Sequence, residues 1–272
     1  MGNFATVIRK IIYSLIIFAI VFISYWQWEE SQARFLDSGL VGYWPFEDAP
    51  SITAIDKSGN GNNGTLTNGP KYTNGKIGQA VDFDAVNDLI NAGSGSTIDD
   101  IFANGGTVSF WFNIRSLTAS GTFRNRFIVK RSTIGWFIDV KDTQAIMLFF
   151  AQFSTNGGQW QTPTNTATLN QWIHFAVTYD GSSTANDPIF YINGGRVATT
   201  EVGTPSGTFQ SDATETLLLG NTSAGGKATD GKMDDVRLYN RALSANEIHQ
   251  LYIKGKKSRG TPTGSLSNPF IW

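Results

Sequence analysis

Short stretches in which apolar and polar residues alternate follow one another along most of the chain. In residues 107–114, for example, Val108, Phe110 and Phe112 fall on one face and Trp111 on the other. The Asn193-Gly194 pair between two such stretches supplies the positive φ angles of a tight hairpin turn. Many short strands without alternating helices predict an all-β, two-sheet antiparallel sandwich. The predicted strands are 42–46, 80–83, 107–114, 127–130, 135–140, 145–150, 172–179, 188–192, 196–199, 216–220 and 233–239.

The N-terminal segment has a different pattern, because residues 11–23 are almost continuously apolar. Arg9-Lys10 precede this run and Glu29-Glu30 follow it, and a helix from Ile11 to Trp28 would be about 27 Å long, close to a bilayer core. We expect residues 1–30 to form a transmembrane signal-anchor helix with the rest of the chain outside the cytoplasm. A cleaved signal peptide ending near Ser31-Gln32-Ala33 and a buried core helix are the alternatives.

The C-terminal part of the sequence predicts one short helix. Ser244 and Glu247 have the spacing of a capping box, Ile248, Leu251 and Tyr252 share one helical face, and Gly255 suits the end of the helix. We expect this helix to lie flat against one sheet. The predicted organisation is therefore an anchor (1–30), a linker (31–38), a β domain (39–254) and a basic, polar tail (255–272).

Composition narrows the possible functions. The net charge is −1, so nothing indicates nucleic-acid binding. The sequence contains no cysteine, which excludes disulfides, thiolate catalysis and cysteine-ligated zinc, and its two histidines make a histidine-rich zinc site improbable.

Several motifs, taken in order, resemble the LamG-like jelly-roll family, which is laminin G-like and has the concanavalin A-like lectin/glucanase fold. They are GLVGYWPFE (39–47), DKSGNGNNGT (56–65), GQAVDFDAVND (78–88), QWIHFAVTYDG (171–181) and GKMDDVRLYNRALS (231–244). The resemblance covers residues 39–252, and it departs from the family at Ala85, where a glycine is usual. It implies a jelly roll of two bent sheets, commonly with calcium, in surface or secreted proteins that bind glycans or other proteins.

The adjacent carboxylates Asp234 and Asp235 pose the question of catalysis. Glycoside hydrolysis needs two carboxyl groups on the same cleft wall. Regular strand alternation would place Asp234 with Val236 and Leu238, and Asp235 on the opposite face with Met233 and Arg237. The Glu-x-Asp-x-x-Glu strand of hydrolases with this fold does not occur in the sequence. We therefore expect no catalytic residues.

Calcium is the cofactor that the resemblance implies. The family's ion typically joins an early acidic segment to the last strand, and the matching candidates are Glu47, Asp56, Asp84, Asp234 and Asp235. The loop that begins at Asp56 starts like an EF-hand, but its twelfth position is Thr67, so a true EF-hand is not expected. The alternative is that these residues simply build turns.

Trp160, between glycines and glutamines, is the candidate for ligand binding. An exposed aromatic ring beside amides is suited to stack on a sugar and bind its hydroxyl groups. A tryptophan tucked over the edge of a sheet is an equally valid interpretation. His174, in an alternating strand, is interpreted as structural.

Together these observations predict a non-catalytic adhesion or binding module at the cell surface, which is membrane-anchored, or secreted if the N-terminal segment is cleaved. Its expected partner is a glycan or a surface protein, bound through loops at one rim of the sandwich. The alternatives are a subunit of a pilin-like filament, in which N-terminal helices pack together, and a glycoside hydrolase.

Overall fold

The computed structural model describes residues 2–117, 125–141 and 144–257, without the side chains of residues 2–8 and 25–35. The chain divides into two compact units, one ending at Gly39 and the other beginning at Leu40. Most of the predicted tail lies outside the described residues.

The first unit is helix α1 (Gly2–Asp37). It includes most of the segment predicted as a linker. The large apolar side chains from Ile11 to Ile23 are exposed. Of the helices in the described part of the chain, none is both long and apolar enough to cross a membrane.

The second unit is the predicted sandwich, followed by helix α2 (Ala245–Lys257). Its strands are β1 (Leu40–Trp44), β2 (Thr53–Ala54), β3 (Gly64–Thr67), β4 (Lys71–Asn74), β5 (Gln79–Asp84), β6 (Leu89–Asn91), β7 (Gly106–Ile114), β8 (Asn125–Arg131), β9 (Gly135–Lys141), β10 (Ile146–Ala151), β11 (Gly158–Gln161), β12 (Ile173–Tyr179), β13 (Ile189–Ile192), β14 (Gly195–Val197), β15 (Thr200–Gly203), β16 (Leu217–Leu219) and β17 (Asp230–Tyr239). A short 3₁₀ helix covers Ser96–Ile98.

The strands form two antiparallel sheets. The first sheet has the order β14-β13-β12-β7-β17-β5-β4, and β1 pairs with the end of β17 beyond β5. The second has the order β15-β11-β10-β9-β8-β16-β6-β3-β2. All the predicted strands are present, and the predicted hairpin turn has φ angles of 50° at Asn193 and 76° at Gly194. The pairing of early with late strands confirms the predicted sandwich.

Aromatic side chains fill the space between the sheets. Phe110 and Phe112 of β7 pack on Phe127 of β8, with ring centroids 5.3 and 4.7 Å from it. Trp136, fully buried, meets Phe102 edge to face. Burying such large rings provides much of the stability of a sandwich of this kind.

Helix α2 covers the outer face of the first sheet, as predicted. The side chain of Glu247 accepts a hydrogen bond from the Ser244 backbone N–H, and the Glu247 N–H donates to the Ser244 hydroxyl, which completes the capping box. Gly255 does not end the helix, which runs on to Lys257. A Cβ atom at Gly255 would lie 2.5 Å from the Trp111 indole nitrogen, so this glycine allows the helix to approach the sheet closely.

Candidate functional site

The adjacent aspartates of β17 lie on the same face of the sheet, and the prediction of opposite faces is wrong. The register of β17 against β7 shifts between Asp234, which is opposite Trp111, and Arg237, which is opposite Ser109. Asp235, with φ of 50°, sits in this β-bulge. The extra residue keeps Met233, Val236 and Leu238 in the core and leaves both carboxylates on the outer side.

Asp235 is committed to an ion pair. Its carboxylate accepts hydrogen bonds from Arg237 Nη2 at 2.9 Å and Nε at 3.2 Å, and the guanidinium lies 3.8 Å from the ring centroid of Tyr43. Burial alone would raise the pKa of Asp235, but the charge and hydrogen bonds of Arg237 outweigh it and lower that pKa. A carboxylate already bound by a buried arginine does not fit a calcium ligand.

Asp234 binds the turn between β4 and β5. Its Oδ2 accepts the backbone N–H groups of Lys76 at 2.7 Å and Ile77 at 2.8 Å. Its Oδ1 is buried and has no hydrogen-bond partner. Burial raises the pKa of Asp234 to about 8, against the opposing effect of these backbone hydrogen bonds.

Glu47 reaches the same turn. Its Oε1 accepts the N–H of Gln79 at 3.0 Å, and its side chain is exposed. Residues far apart in the sequence thus place two carboxylates against the four-residue turn 75–78 and the first residue of β5, Gln79. These two are the predicted calcium ligands that the structure brings together.

Asp56 organises its own loop. Its Oδ1 accepts the N–H groups of Tyr43 and Ser58, and its Oδ2 accepts the N–H of Asn62 and the hydroxyl of Ser58, all at 2.9 Å. The side chain is buried, with an exposed fraction of 6%. The acceptor sites that a metal ion would need are already used by the protein, so Asp56 does not fit a calcium ligand.

Asp84 lies at a separate place, at the end of β5. Its Oδ1 accepts the N–H of Val86 at 2.8 Å, which makes the local turn, and the side chain is exposed. Among the described residues, no group of three or more acidic or histidine side chains is arranged to hold a metal ion. Of the predicted ligands, Glu47 and the unpartnered oxygen of Asp234 fit calcium, and the remaining oxygen ligands would have to come from the backbone or water.

A polar pocket at the rim of the sandwich was missed by the sequence analysis. It has a volume of about 220 Å³ and lies where the β3–β4 and β5–β6 loops meet the end of β7. The residues that line it are Gly69, Lys71, Asp82, Phe83, Asp84, Asp88 and Arg115.

The innermost carboxylate of this rim pocket is Asp88. Its exposed fraction is 2%; Oδ2 accepts the N–H of Asp84 at 3.1 Å, whereas Oδ1 has no partner. Burial and the neighbouring charge of Asp84 raise the pKa of Asp88. The burial of Asp88 could not be predicted from its neighbours in the sequence, because the residue stands in a loop-like motif and is covered by segments far from it along the chain.

Trp160 is not an exposed platform, and that prediction is wrong. The residue lies in β11 with an exposed fraction of 0%, packs against Phe149 and Tyr179, and donates from Nε1 to Asp187 Oδ1 at 2.7 Å. Gly158, which suggested a loop, is needed because a Cβ there would lie 2.0 Å from the Trp160 ring. The ring is therefore part of the core.

Comparisons with solved structures agree on the fold. The binding domain of Paraclostridial Mosquitocidal Protein 1 is similar, with 20% identity and a TM-score of 0.61 over 80% of this chain and 52% of that one. The botulinum neurotoxin serotype D binding domain is similar at 16% identity and a TM-score of 0.60, over 80% and 52%. The chain thus spans about half the length of these toxin domains.

A third solved structure, of a shorter chain, is matched over almost its whole length. Domain 4 of AbnA, an extracellular GH43 arabinanase from Geobacillus stearothermophilus, was solved in complex with arabinotriose. It has 21% identity and a TM-score of 0.55, over 79% of this chain and 98% of that one. At these identities the likeness shows the fold.

The sequence comparisons give the family. No curated protein matches the chain. The family model Laminin_G_3, of the concanavalin A-like lectin/glucanases superfamily, matches residues 84–249, which is more than half of the chain and includes β7 to β17. The chain belongs to the Laminin_G_3 family.

Proposed function

We propose that the protein is a non-catalytic binding module of the cell surface, which recognises a glycan or a surface protein through the loops at one rim of its sandwich. The observation that carries this proposal is the match of the sandwich to nearly the whole of an arabinanase domain solved with arabinotriose. The likeness to binding domains of two toxins also supports a role in binding.

The state of the buried polar groups supports a non-catalytic role. The acid pair Asp234–Asp235 lies on one face, but Asp235 is neutralised by Arg237 and both side chains are buried. Ser109 Oγ and His174 Nε2 are 2.9 Å apart, yet both residues have exposed fractions of only 1% and lie in the layer covered by helix α2. A substrate has no access to either pair in this structure.

In this proposal calcium has a structural role at the β4–β5 turn. Glu47 and Asp234 would hold the ion, and the unpartnered Oδ1 of Asp234 is the atom that supports the assignment. A bound cation would offset the repulsion between the carboxylates and fix the turn against β17.

The proposed location is outside the cytoplasm, with α1 as the membrane anchor. Support comes from the continuous apolar sequence of residues 11–23 and from the exposure of these side chains, which leaves a large apolar surface without a cover within its own unit.

A glycan array probed with the full chain tests the binding role. We expect binding to one class of neutral oligosaccharide, with arabinotriose among the compounds tested. Retained binding by an Asp235→Asn, His174→Gln double variant that still folds would agree with the structural role of the buried groups. Binding to none of the glycans would overturn the glycan proposal, and hydrolysis of a bound glycan would overturn the non-catalytic one.

Thermal unfolding with calcium and with chelator tests the ion. We expect chelator to lower the Tm of the natural chain by several degrees, and Glu47→Gln to reduce this difference because one ligand is lost. Asp84→Asn is the control, since Asp84 lies away from the turn, and should leave the difference unchanged. An identical Tm with calcium and with chelator would exclude a structural ion.

A further inference from the structure

We propose that the rim pocket holds one sugar residue by its hydroxyl groups, with Asp88 and Asp84 as acceptors and Lys71 as donor. This inference rests on the proposed glycan-binding function and names the site and the recognised chemistry. It starts from Asp88, a residue that lines the pocket and whose buried Oδ1 has no hydrogen-bond partner.

An unpartnered carboxylate oxygen in such a place is unusual. Buried polar atoms are nearly always hydrogen-bonded, and exceptions call for an explanation such as a ligand. Gly69 forms the wall next to it, and even a Cβ at Gly69 would stay 3.7 Å from Oδ1. A side chain at this position would lie over Oδ1, and the glycine leaves that side of the oxygen without one.

The charges around the pocket show which groups remain for a ligand. Each nitrogen of the Arg115 guanidinium donates one hydrogen bond: Nε to Asp230 Oδ1, Nη1 to Asp82 Oδ1 and Nη2 to the carbonyl oxygen of Phe83. Asp82 and Asp230 are thereby neutralised. The groups left to meet a ligand are the carboxylates of Asp84 and Asp88 and the exposed ammonium of Lys71, which has no ion pair among the described residues.

These groups favour a neutral polyhydroxylated ligand. A phosphate or carboxylate would be repelled by the two free aspartates, and a cationic side chain would meet the exposed ammonium of Lys71. A hydroxyl group can donate to an aspartate while a neighbouring one accepts from Lys71, so a sugar diol satisfies both kinds of group.

The size of the pocket sets the size of the ligand. Sites for drug-sized molecules have volumes of about 300–1,000 Å³, and this pocket, at about 220 Å³, is smaller. It suits a single sugar residue, and its open mouth allows the rest of an oligosaccharide to continue over the loops.

The decisive variant is Asp88→Asn in the full chain. The amide oxygen keeps the hydrogen bond from the Asp84 N–H, while the charged acceptor in the pocket is lost. We expect the affinity for an oligosaccharide that binds on the array, measured by titration calorimetry, to fall at least tenfold. We also expect the Tm to stay the same or rise, because an unpartnered buried charge is removed. A purely structural role for Asp88 would instead lower the Tm and leave the affinity unchanged.

Asp84→Asn and Asp180→Asn form a matched pair of controls. Each aspartate caps its own turn by accepting an N–H two residues ahead, but only Asp84 lines the pocket. We expect Asp84→Asn and Lys71→Met to weaken binding and Asp180→Asn to leave it unchanged. If the natural chain binds glycan and all the pocket variants bind it equally well, the rim pocket is not the sugar site, although the protein is a glycan-binding module. If the natural chain binds no glycan, both the proposed sugar site and the proposed glycan-binding function are wrong.

Discussion

The Asp56 loop and the Asp88 loop use the same residue type at nearly the same depth, and they differ in how the carboxylate is satisfied. The exposed fractions are 6% for Asp56 and 2% for Asp88. Four protein donors surround the carboxylate of Asp56, whereas that of Asp88 receives one hydrogen bond, on Oδ2. The two aspartates are the same residue type and are buried to a similar extent, so only their hydrogen bonds distinguish them.

The difference has an energetic meaning. A buried carboxylate with its acceptors filled stabilises the loop around it, and a buried polar atom without a partner costs about 1–3 kcal/mol. Folded proteins contain buried polar atoms without partners mainly where these atoms serve a function. By this reasoning Asp56 is structural, and Asp88 is a site for something that the protein itself does not supply.

The same contrast occurs between neighbours on β17. The carboxylate of Asp235 accepts hydrogen bonds from Arg237, whereas one carboxylate oxygen of Asp234 has no hydrogen-bond partner. The bulge places both on one face, so strand position does not distinguish them. The comparison therefore suggests a structural role for Asp235 and a ligand role, here for calcium, for Asp234.

Removal of the Asp56 carboxylate should have the largest effect on the free energy of unfolding. It tests whether Asp56 has a structural role. Asp56→Ala would leave the N–H groups of Tyr43, Ser58 and Asn62 without their acceptor. At about 1–3 kcal/mol for each buried donor, partly relieved by water, we expect the free energy of unfolding to fall by about 3–5 kcal/mol. Urea denaturation followed by tryptophan fluorescence measures it.

The control for this variant is Asp84→Ala. That change removes one hydrogen bond at an exposed turn, so we expect a loss of about 0.5–1 kcal/mol. Equal losses for the two variants would contradict the view that filled acceptors make Asp56 a structural residue.

Much of the fold was predictable from the sequence because alternation and turn chemistry are local signals. The β7 pattern, the Asn193-Gly194 turn and the Ser244–Glu247 capping box each act within a few residues, and all three are present. Short strands without clear alternation, such as β6 and β15, escaped prediction because their pairing depends on neighbours distant in sequence.

The candidate sites were predicted less well, because they depend on long-range geometry. The bulge at Asp235 has no local signature that separates it from regular strand. Trp160 looked exposed because glycines precede it, although the glycine at 158 only makes room for its ring. Glu47 and Asp234 remain predicted calcium ligands, and only the structure shows that both contact the segment that joins β4 to β5.

The pH dependence of stability extends the comparison to His174, whose buried Nδ1 also has no hydrogen-bond partner. Burial lowers the pKa of His174 to about 3, from 6.5; Asp235 opposes this and Arg237 adds to it. The unfolded chain then binds a proton that the folded chain does not between about pH 6.5 and pH 3. The histidine's contribution to stability is therefore complete above pH 6.5 and is lost as the pH falls, by about 1.4 kcal/mol per pH unit.

The measurement is the difference between the natural chain and His174→Gln, in urea denaturation at pH 6.5, 5.5 and 4.5. A difference is needed because Asp234, whose pKa is raised to about 8, changes stability in the opposite direction as the pH falls. We expect the variant to lose less stability than the natural chain on acidification, and His249→Gln to behave like the natural chain. Parallel pH profiles for all three proteins would mean that burial of His174 carries no proton linkage.

The smallest expected effect concerns the backbone of the two loops. The Asp56 loop has glycine at its positive φ angles, Gly59 at 88° and Gly61 at 79°, whereas the Asp88 loop has Ala85 at 69°. A left-handed alanine costs about 1–2 kcal/mol, and glycine loses about 0.5–1 kcal/mol of this gain through the entropy of the unfolded chain. Ala85→Gly should therefore raise the free energy of unfolding by about 0.5–1 kcal/mol, measured in urea.

The matched control is Gly59→Ala, where an added Cβ meets no atom within 4 Å. This change should lower the free energy of unfolding by a similar amount. Opposite signs for these matched changes would locate the strain at Ala85, in the loop that carries Asp88, and no gain in stability for Ala85→Gly would show that the backbone there is not strained.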